Sequence, residues 1–319
     1  MPSSSKLSDV LKEFLTPVEA TSLINDNVYN LEISQNEMMQ QIEIKRFVYY
    51  YINKELIEKH FNSAIDTSVD SGSMGCFTHF TATNMKEGFS NLQETLNKGK
   101  DRFFRIKKNV NGLKDSVGIK FQVFFSKDKY FEARTIREET ILQKLSKTSF
   151  REYIPLFYLG FTVKLPNVVV NQQSHNIGVR VTFMENLKDY ATLSSIMKNP
   201  YFTPNEEMIN VIAELITNLW KQGISHNDIK AENIMGSLLT PNKFKIIDFG
   251  LATVFLKNQS NTIQGLFKDY TSHYEKELKQ QNKLRKLQGK PMKTELSEQL
   301  GSNVRKFNEL VAMLHNRHT

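Results

Sequence analysis

The chain has 319 residues, of which 39% are hydrophobic and 24% charged, and its formal charge is +8. That length and balance give a folded protein with material for a large core and exclude wholesale disorder. No uninterrupted apolar run approaches the roughly 18 residues of a membrane-spanning helix, and MPSSSKLSDVLKEFL reads as neither signal peptide nor anchor. The single cysteine, Cys76, leaves no internal disulfide and suits a reducing compartment, cytosol or nucleus. The positive balance favours anionic partners without naming one.

In chain order, residues 6–65 are predicted to be mainly helical. An apolar stripe through Ile44, Phe47, Val48, Tyr51, Ile52 and Leu56 marks a core or docking face. SVDSGSMGCFTHF reads as a turn between short extended segments, with Gly72 and Gly75 as its flexible points. Residues 81–116 form a polar passage rich in Lys and Asn. The alternating VGIKFQVFF predicts a strand, and KYFEARTIREETILQKL a helix with Glu138, Ile141, Leu142 and Leu145 on one face. Residues 153–184 are strand-like. A helix is predicted from Thr203 as cap, with Pro204 first, Glu206 completing a capping box, and Gly223 ending it. Two short strands follow around NIMGSLL and KFKIIDF, joined at Thr240–Lys243, and the rest is polar and helical.

The chemistry concentrates in HNDIKAENIM and IIDFG. Transfer of a phosphoryl group requires a divalent cation to bridge the phosphates and a hydroxyl aimed at the terminal phosphorus. Magnesium takes hard oxygen ligands, few of them from protein. Asn233 and Asp248 supply such oxygens. Asp228, five residues before Asn233, is placed to orient the acceptor hydroxyl and take its proton. Lys230 is placed to neutralise charge on the moving group.

HNDIKAEN followed by a strand ending in DFG resembles the catalytic loop and metal-binding triplet of the eukaryotic protein kinase superfamily. Lys230 is similar to the serine/threonine branch, and DIKA to the casein-kinase-1 and vaccinia-related groups. The resemblance implies an α+β, two-lobed fold, with a β-rich N-lobe, an abbreviated, mainly helical C-lobe and a ligand cleft. It implies ATP and Mg2+ as cofactors and a protein substrate. VGIK resembles the family's V-A-I-K strand, so Lys120 becomes the phosphate-holding lysine and Glu138, eighteen residues on, its pairing glutamate. Lys107 in FRIK is the rival, too far from Glu138 in sequence for that arrangement. DSGSMGCF is similar to the glycine loop with Asp70 for the first glycine and Phe77 for the valine, leaving Gly72 and Gly75 to admit phosphate. Met184 and Glu185 fall where the hinge receives adenine.

On this alignment residues 1–65 are a helical extension, 66–185 an N-lobe with an insertion at about 81–116, and 186–319 a shortened C-lobe. Asn227 replaces the family's arginine, which implies activity independent of phosphorylation of the activation segment. No A-P-E triplet follows DFG. SNVRKFNELVAML resembles the central C-lobe helix with Asn303 in place of an aspartate, and shortened lobes of this kind occur in RIO-like and some viral kinases. The segment 276–293 carries seven basic residues and one acidic, a solvated face or a docking site for an acidic protein or nucleic acid. His226 reads as a brace for the catalytic loop, and Cys76, inside the presumed glycine loop, as a packed or exposed bystander whose position would make ATP binding sensitive to thiol reagents. Two other readings stand beside the kinase: a non-catalytic scaffold that binds ATP and acidic partners, and a small-molecule kinase.

Overall fold

The computed structural model describes residues 29–31, 45, 47–66, 70–72, 75–110, 112–125, 129–170, 173–199, 202 and 205–254. The chain divides into two units: one comprises 1–139 and 156–186, the other 140–155 and 187–319. Predictions for Ile44, Thr203, Pro204, the segment 276–293 and the helix around Asn303 lie outside the described residues.

The first unit is built on a seven-stranded sheet. Its strands are β1 (Tyr29–Leu31), β2 (Asp70–Gly72), β3 (Gly75–Thr81), β4 (Phe103–Lys108), β5 (Ser116–Phe125), β6 (Phe157–Val170) and β7 (Gln173–Glu185). They run in the order β1-β6-β7-β5-β3-β2, with β4 pairing β6 off that path. All pairs are antiparallel except β1 with β6. Tyr29–Leu31 is therefore a strand within a region expected to be helical. β5 shows why VGIKFQVFF folds as it does. Val117, Ile119 and Phe121 are buried in the apolar core, so the alternation turns Lys120 and Gln122 to the other face.

The core face is covered by two helices, α1 (residues 47–61) and α2 (Met85–Lys98). α1 buries Phe47, Val48, Tyr51, Ile52 and Leu56, as the apolar stripe predicts, together with Ile57 and Phe61. Asn62 ends it in the left-handed region at φ 48°, where a short polar side chain is tolerated. α2 corrects the reading of 81–116 as a polar passage, because Met85, Phe89, Leu92 and Leu96 form a helical stripe that packs inward. Phe61 meets Phe80 and Phe89 edge-on at 4.9 and 5.3 Å, and Phe89 meets Phe183 at 5.3 Å. A side chain at Gly88 would enter the Phe61 ring, so glycine sets the close approach of α2 to α1. Losing one such ring costs about 3–5 kcal/mol.

Cys76 belongs to this core, 3% exposed, and burial pushes its thiol up to about 11. Of the two readings of Cys76, packed or exposed, the structure shows the packed one: Cys76 pairs with Phe121 across the strands. Since the thiolate is the reactive form, the native protein is expected to resist iodoacetamide at pH 7.5 and to label only on unfolding, as read by mass spectrometry.

Helix α3 (Lys129–Leu145) contributes to both units: its residues to Glu139 belong to the first. In the second unit, strand β8 (Tyr190–Thr192) leads into the short helix α4 (Leu193–Met197), followed by α5 (Glu206–Lys221). The cap of α5 is Asn205, whose side chain accepts from Met208 N at 2.8 Å. The helix thus starts later than the capping box placed it, because Asn205 already answers a free N–H. Gly223, at φ 72°, follows its last turn as expected. Then come β9 (Ile224–Ser225), β10 (Ile234–Ser237), β11 (Phe244–Ile246) and β12 (Thr253–Val254). β10 lies between β8 and β11, and β12 pairs with β9. Buried Lys245 on β11 donates to Ile154 O at 2.7 Å. Among the described residues no helix is long and apolar enough to cross a membrane.

Candidate active site

Among the described residues both units hold clustered polar groups that their apolar packing does not require. In the second unit the cluster lies on the loop after β9. Asp228 is 8% exposed, and its Oδ2 receives Lys230 Nζ at 2.9 Å and Asn233 Nδ2 at 3.0 Å. The same Nδ2 also donates to Asp228 O at 2.8 Å. This clamps the loop into one shape and turns the Asn233 carbonyl oxygen away from Asp228.

Backbone contacts bring the end of β11 beside this loop: Ile247 N donates to Asn233 O at 3.0 Å. His226, wholly buried, faces Ile247 O through Nε2 at 2.9 Å, and its ring meets Phe249 edge-on at 4.9 Å. Because Nε2 faces a carbonyl it carries the proton, and Nδ1, with no hydrogen-bond partner among the described residues, carries none. Burial lowers the imidazole below its ordinary value, although the Ile247 carbonyl and the charges of Asp248 and Asp228 oppose the shift. His226 is a neutral brace between the loop and the strand. Asp248 then follows at φ 62°, a left-handed conformation uncommon in residues other than glycine.

Asn227 is a second left-handed residue, at φ 63°. Its Nδ2 donates to Leu251 O at 3.0 Å and Thr253 Oγ1 at 2.8 Å, while Ser225 Oγ donates to its Oδ1 at 2.6 Å. The side chain thus fastens the loop after β9 to the residues just after Gly250, a contact its position in the motif did not disclose. Asn227→Gly keeps the backbone shape and is expected to lose about 1–2 kcal/mol with those bonds. Asn227→Ala is expected to lose about 1 kcal/mol more, because alanine resists the left-handed region. Trp220, on α5 in the same unit, reports both by fluorescence during denaturant unfolding.

In the first unit, Lys120 Nζ reaches both Glu138 oxygens, at 2.9 and 2.7 Å. The structure thus pairs Glu138 with Lys120 rather than with Lys107. Lys107 lies on β4 opposite Gly160, and burial lowers its ammonium below the ordinary value. Gly72 and Gly75 face each other where the β2–β3 hairpin closes. β3 pairs directly with β5, setting Phe77 opposite Lys120. Two departures from the motifs explain each other here. A Cβ at position 118 would stand 2.6 Å from the Phe77 ring, so glycine in VGIK accommodates phenylalanine in the glycine-loop pattern.

Glu185 ends β7 with its side chain committed, accepting from Lys114 Nζ at 2.9 Å and Leu156 N at 3.3 Å. Its own N–H donates to Leu156 O at 2.7 Å, so that group is already engaged within the unit.

Sequence reasoning missed Glu139, the neighbour of Glu138. It is 1% exposed and forms a bidentate pair with wholly buried Arg180: Nε donates to Oε1 at 2.8 Å and Nη2 to Oε2. Arg180 Nη1 donates to Arg105 O at 2.9 Å and Thr162 Oγ1 at 3.1 Å, and Thr182 Oγ1 donates to Glu139 Oε1 at 2.7 Å. Arg105 lies between the register-shifted pairs of β4, at φ 55°. The available signal was an arginine inside the otherwise apolar alternation VRVTFM.

The profile of the protein kinase domain matches residues 114–275, just over half of the chain. The match contains Lys120, Glu138, Glu185, Asp228, Lys230, Asn233 and Asp248, and begins after Gly72 and Gly75. A comparison with curated proteins gave no match. The motifs, the antiparallel sheet carrying Lys120 and the α+β architecture agree with that profile, and the chain belongs to the protein kinase family.

Proposed function

We propose that this kinase transfers the terminal phosphoryl group of ATP, with Mg2+, to serine or threonine hydroxyls of proteins. The observation that carries the reading is the clamp on Asp228, a nearly buried carboxylate whose Oδ2 receives both Lys230 and Asn233.

The donor set fits the metal. Among the described residues no group of three or more His, Cys, Asp or Glu side chains gathers for a metal ion. An amide oxygen from Asn233 and a carboxylate from Asp248 suit a hard cation that keeps most of its waters. When bound, Mg2+ neutralises charge on the phosphates.

The chain's own groups then have separate tasks. Lys120, oriented by Glu138, would hold the phosphates, and the backbone at Gly72 and Gly75 leaves room for them. Glu185, where β7 ends, would lie beside the adenine. Asp228 would align the acceptor hydroxyl and take its proton, which passes to the carboxylate oxygen as the new O–P bond forms and the bond from the terminal phosphorus to the bridging oxygen breaks, releasing ADP. Lys230 would offset charge on the transferring group. Lys230 also supports the serine/threonine assignment over a tyrosine or small-molecule acceptor.

The Asn227 clasp supports activity without phosphorylation of the following segment, because neutral hydrogen bonds already hold Leu251 and Thr253. Phosphatase-treated protein is expected to keep its rate. The charge of segment 276–293 supports docking of an acidic protein or nucleic acid, and the lone, buried Cys76 suits the cytosol or nucleus.

The test is incubation of the full chain with γ-labelled ATP and Mg2+, alone and with one basic and one acidic protein, followed by phosphoamino-acid analysis. Label on serine or threonine supports the proposal. Label on tyrosine overturns the acceptor class, and ATP binding without label points to a non-catalytic scaffold.

A further inference from the structure

Glu138 and Glu139 are consecutive on α3, and each bears on the same row of the sheet. Gly160 on β6, Thr182 on β7 and Lys120 on β5 are cross-strand partners in that row. Glu138 lands on Lys120 at its β5 end. Glu139 lands on the other two: Thr182 donates to it, and a Cβ at Gly160 would stand 2.5 Å from its Oε1. Arg180, one step along β7 on the same face, completes the contact with Glu139 and is itself tied to Thr162 on β6 and Arg105 on β4.

The two pairs differ in what replaces them. The Lys120–Glu138 side chains are 17% and 7% exposed, so water can substitute for either partner. Those of Arg180 and Glu139 are 0% and 1% exposed, and nothing substitutes. Any rotation or slide of α3 that lifts Glu138 from Lys120 also draws Glu139 off Arg180. It leaves a guanidinium buried with its strongest partner gone.

We infer that Glu139 is a positioning residue: gripped by Arg180 and Thr182, it fixes α3 so that Glu138 meets Lys120 whether or not nucleotide is bound. This kinase then needs neither partner nor modification to seat that helix. The inference rests on Lys120 as the phosphate-holding lysine, and its test separates the two claims.

The full chain is compared with Glu139→Gln and with Glu139→Leu/Arg180→Met, which replaces the buried pair by apolar groups of similar size. Amide hydrogen exchange over residues 136–143, with and without Mg-ATP, reports how firmly the helix is seated. KM for ATP and kcat report the consequence. In the wild type, exchange there is expected to be slow and unchanged by nucleotide. In the double variant, melting at the wild-type temperature, a seated fraction of about one in ten gives a roughly tenfold higher KM, with kcat within about twofold, and exchange faster by more than about tenfold, since it scales with the unseated fraction. Added Mg-ATP is expected to slow that exchange again. If the double variant does not fold, Glu139→Gln decides by the same readouts, with a smaller change in the same direction. A folded variant with wild-type exchange and wild-type KM overturns the inference and leaves the pair as packing alone. If the wild type neither binds nor turns over ATP, the nucleotide reading fails, while exchange in the ligand-free proteins still decides whether Glu139 seats the helix.

Discussion

Asp228→Asn is expected to lower kcat by about 10²–10⁴, the range contributed by a positioned general base, while KM for ATP stays within about threefold because binding precedes that step. Asparagine keeps the shape of the side chain and still offers an oxygen to Asn233 Nδ2, which lies 3.0 Å from Asp228 Oδ2 in the wild type. What it loses is the capacity to accept a proton and the charge that holds Lys230 at 2.9 Å. Lys120→Met removes a different function. It strips the phosphates of their ammonium and leaves Glu138, 5% exposed, without that partner. A raised KM for ATP is therefore expected together with the loss of rate. Steady-state kinetics over a range of ATP concentrations distinguish the two variants. Equal effects on KM from both would argue against the division of labour proposed for the two clusters.

Arg180→Ala is expected to destabilise the first unit by about 3–5 kcal/mol, the usual result of removing one member of a buried ion pair. Glu139 would keep Thr182 as a donor but lose its only bidentate partner, and a cavity would open between β7 and β4. Replacing both charges by Leu and Met is expected to recover most of that loss, because no buried charge then lacks a counterpart. Far-UV circular dichroism is the suitable probe of denaturant unfolding. The single tryptophan, Trp220, lies on α5 in the second unit, whereas the circular dichroism signal covers both. A loss below about 1 kcal/mol for the alanine variant would place the pair among weakly contributing surface contacts.

The polar cluster on the loop after β9 was legible in the sequence because it is short-range. Asp228, Lys230 and Asn233 lie within six residues of one another, and Asp248 is joined to them by a single hairpin. The Lys120–Glu138 pair was legible through a strand-to-helix spacing, and the distances agree with it. The apolar stripe of α1 was equally plain. α2 was not, because Lys and Asn on its outer face dominate the composition and mask Met85, Phe89, Leu92 and Leu96. Glu139 and Arg180 are 41 residues apart, and only the pairing of β5, β6 and β7 under α3 brings them together. The direction of Cys76 followed strand parity, which one residue of register reverses. Asn227 read as a missing arginine, since a side-chain clasp onto Leu251 and Thr253 depends on a left-handed backbone that no pattern announces.

The account is tested most directly by titrating Mg-ATP into the wild-type chain and counting, in the same sample, nucleotide bound and phosphate transferred to protein. Asp228→Asn runs beside it. The account predicts that both proteins bind one nucleotide with similar affinity and that only the wild type transfers label at an appreciable rate. Binding by both with no transfer by either would contradict it and make this member of the kinase family a nucleotide-binding scaffold.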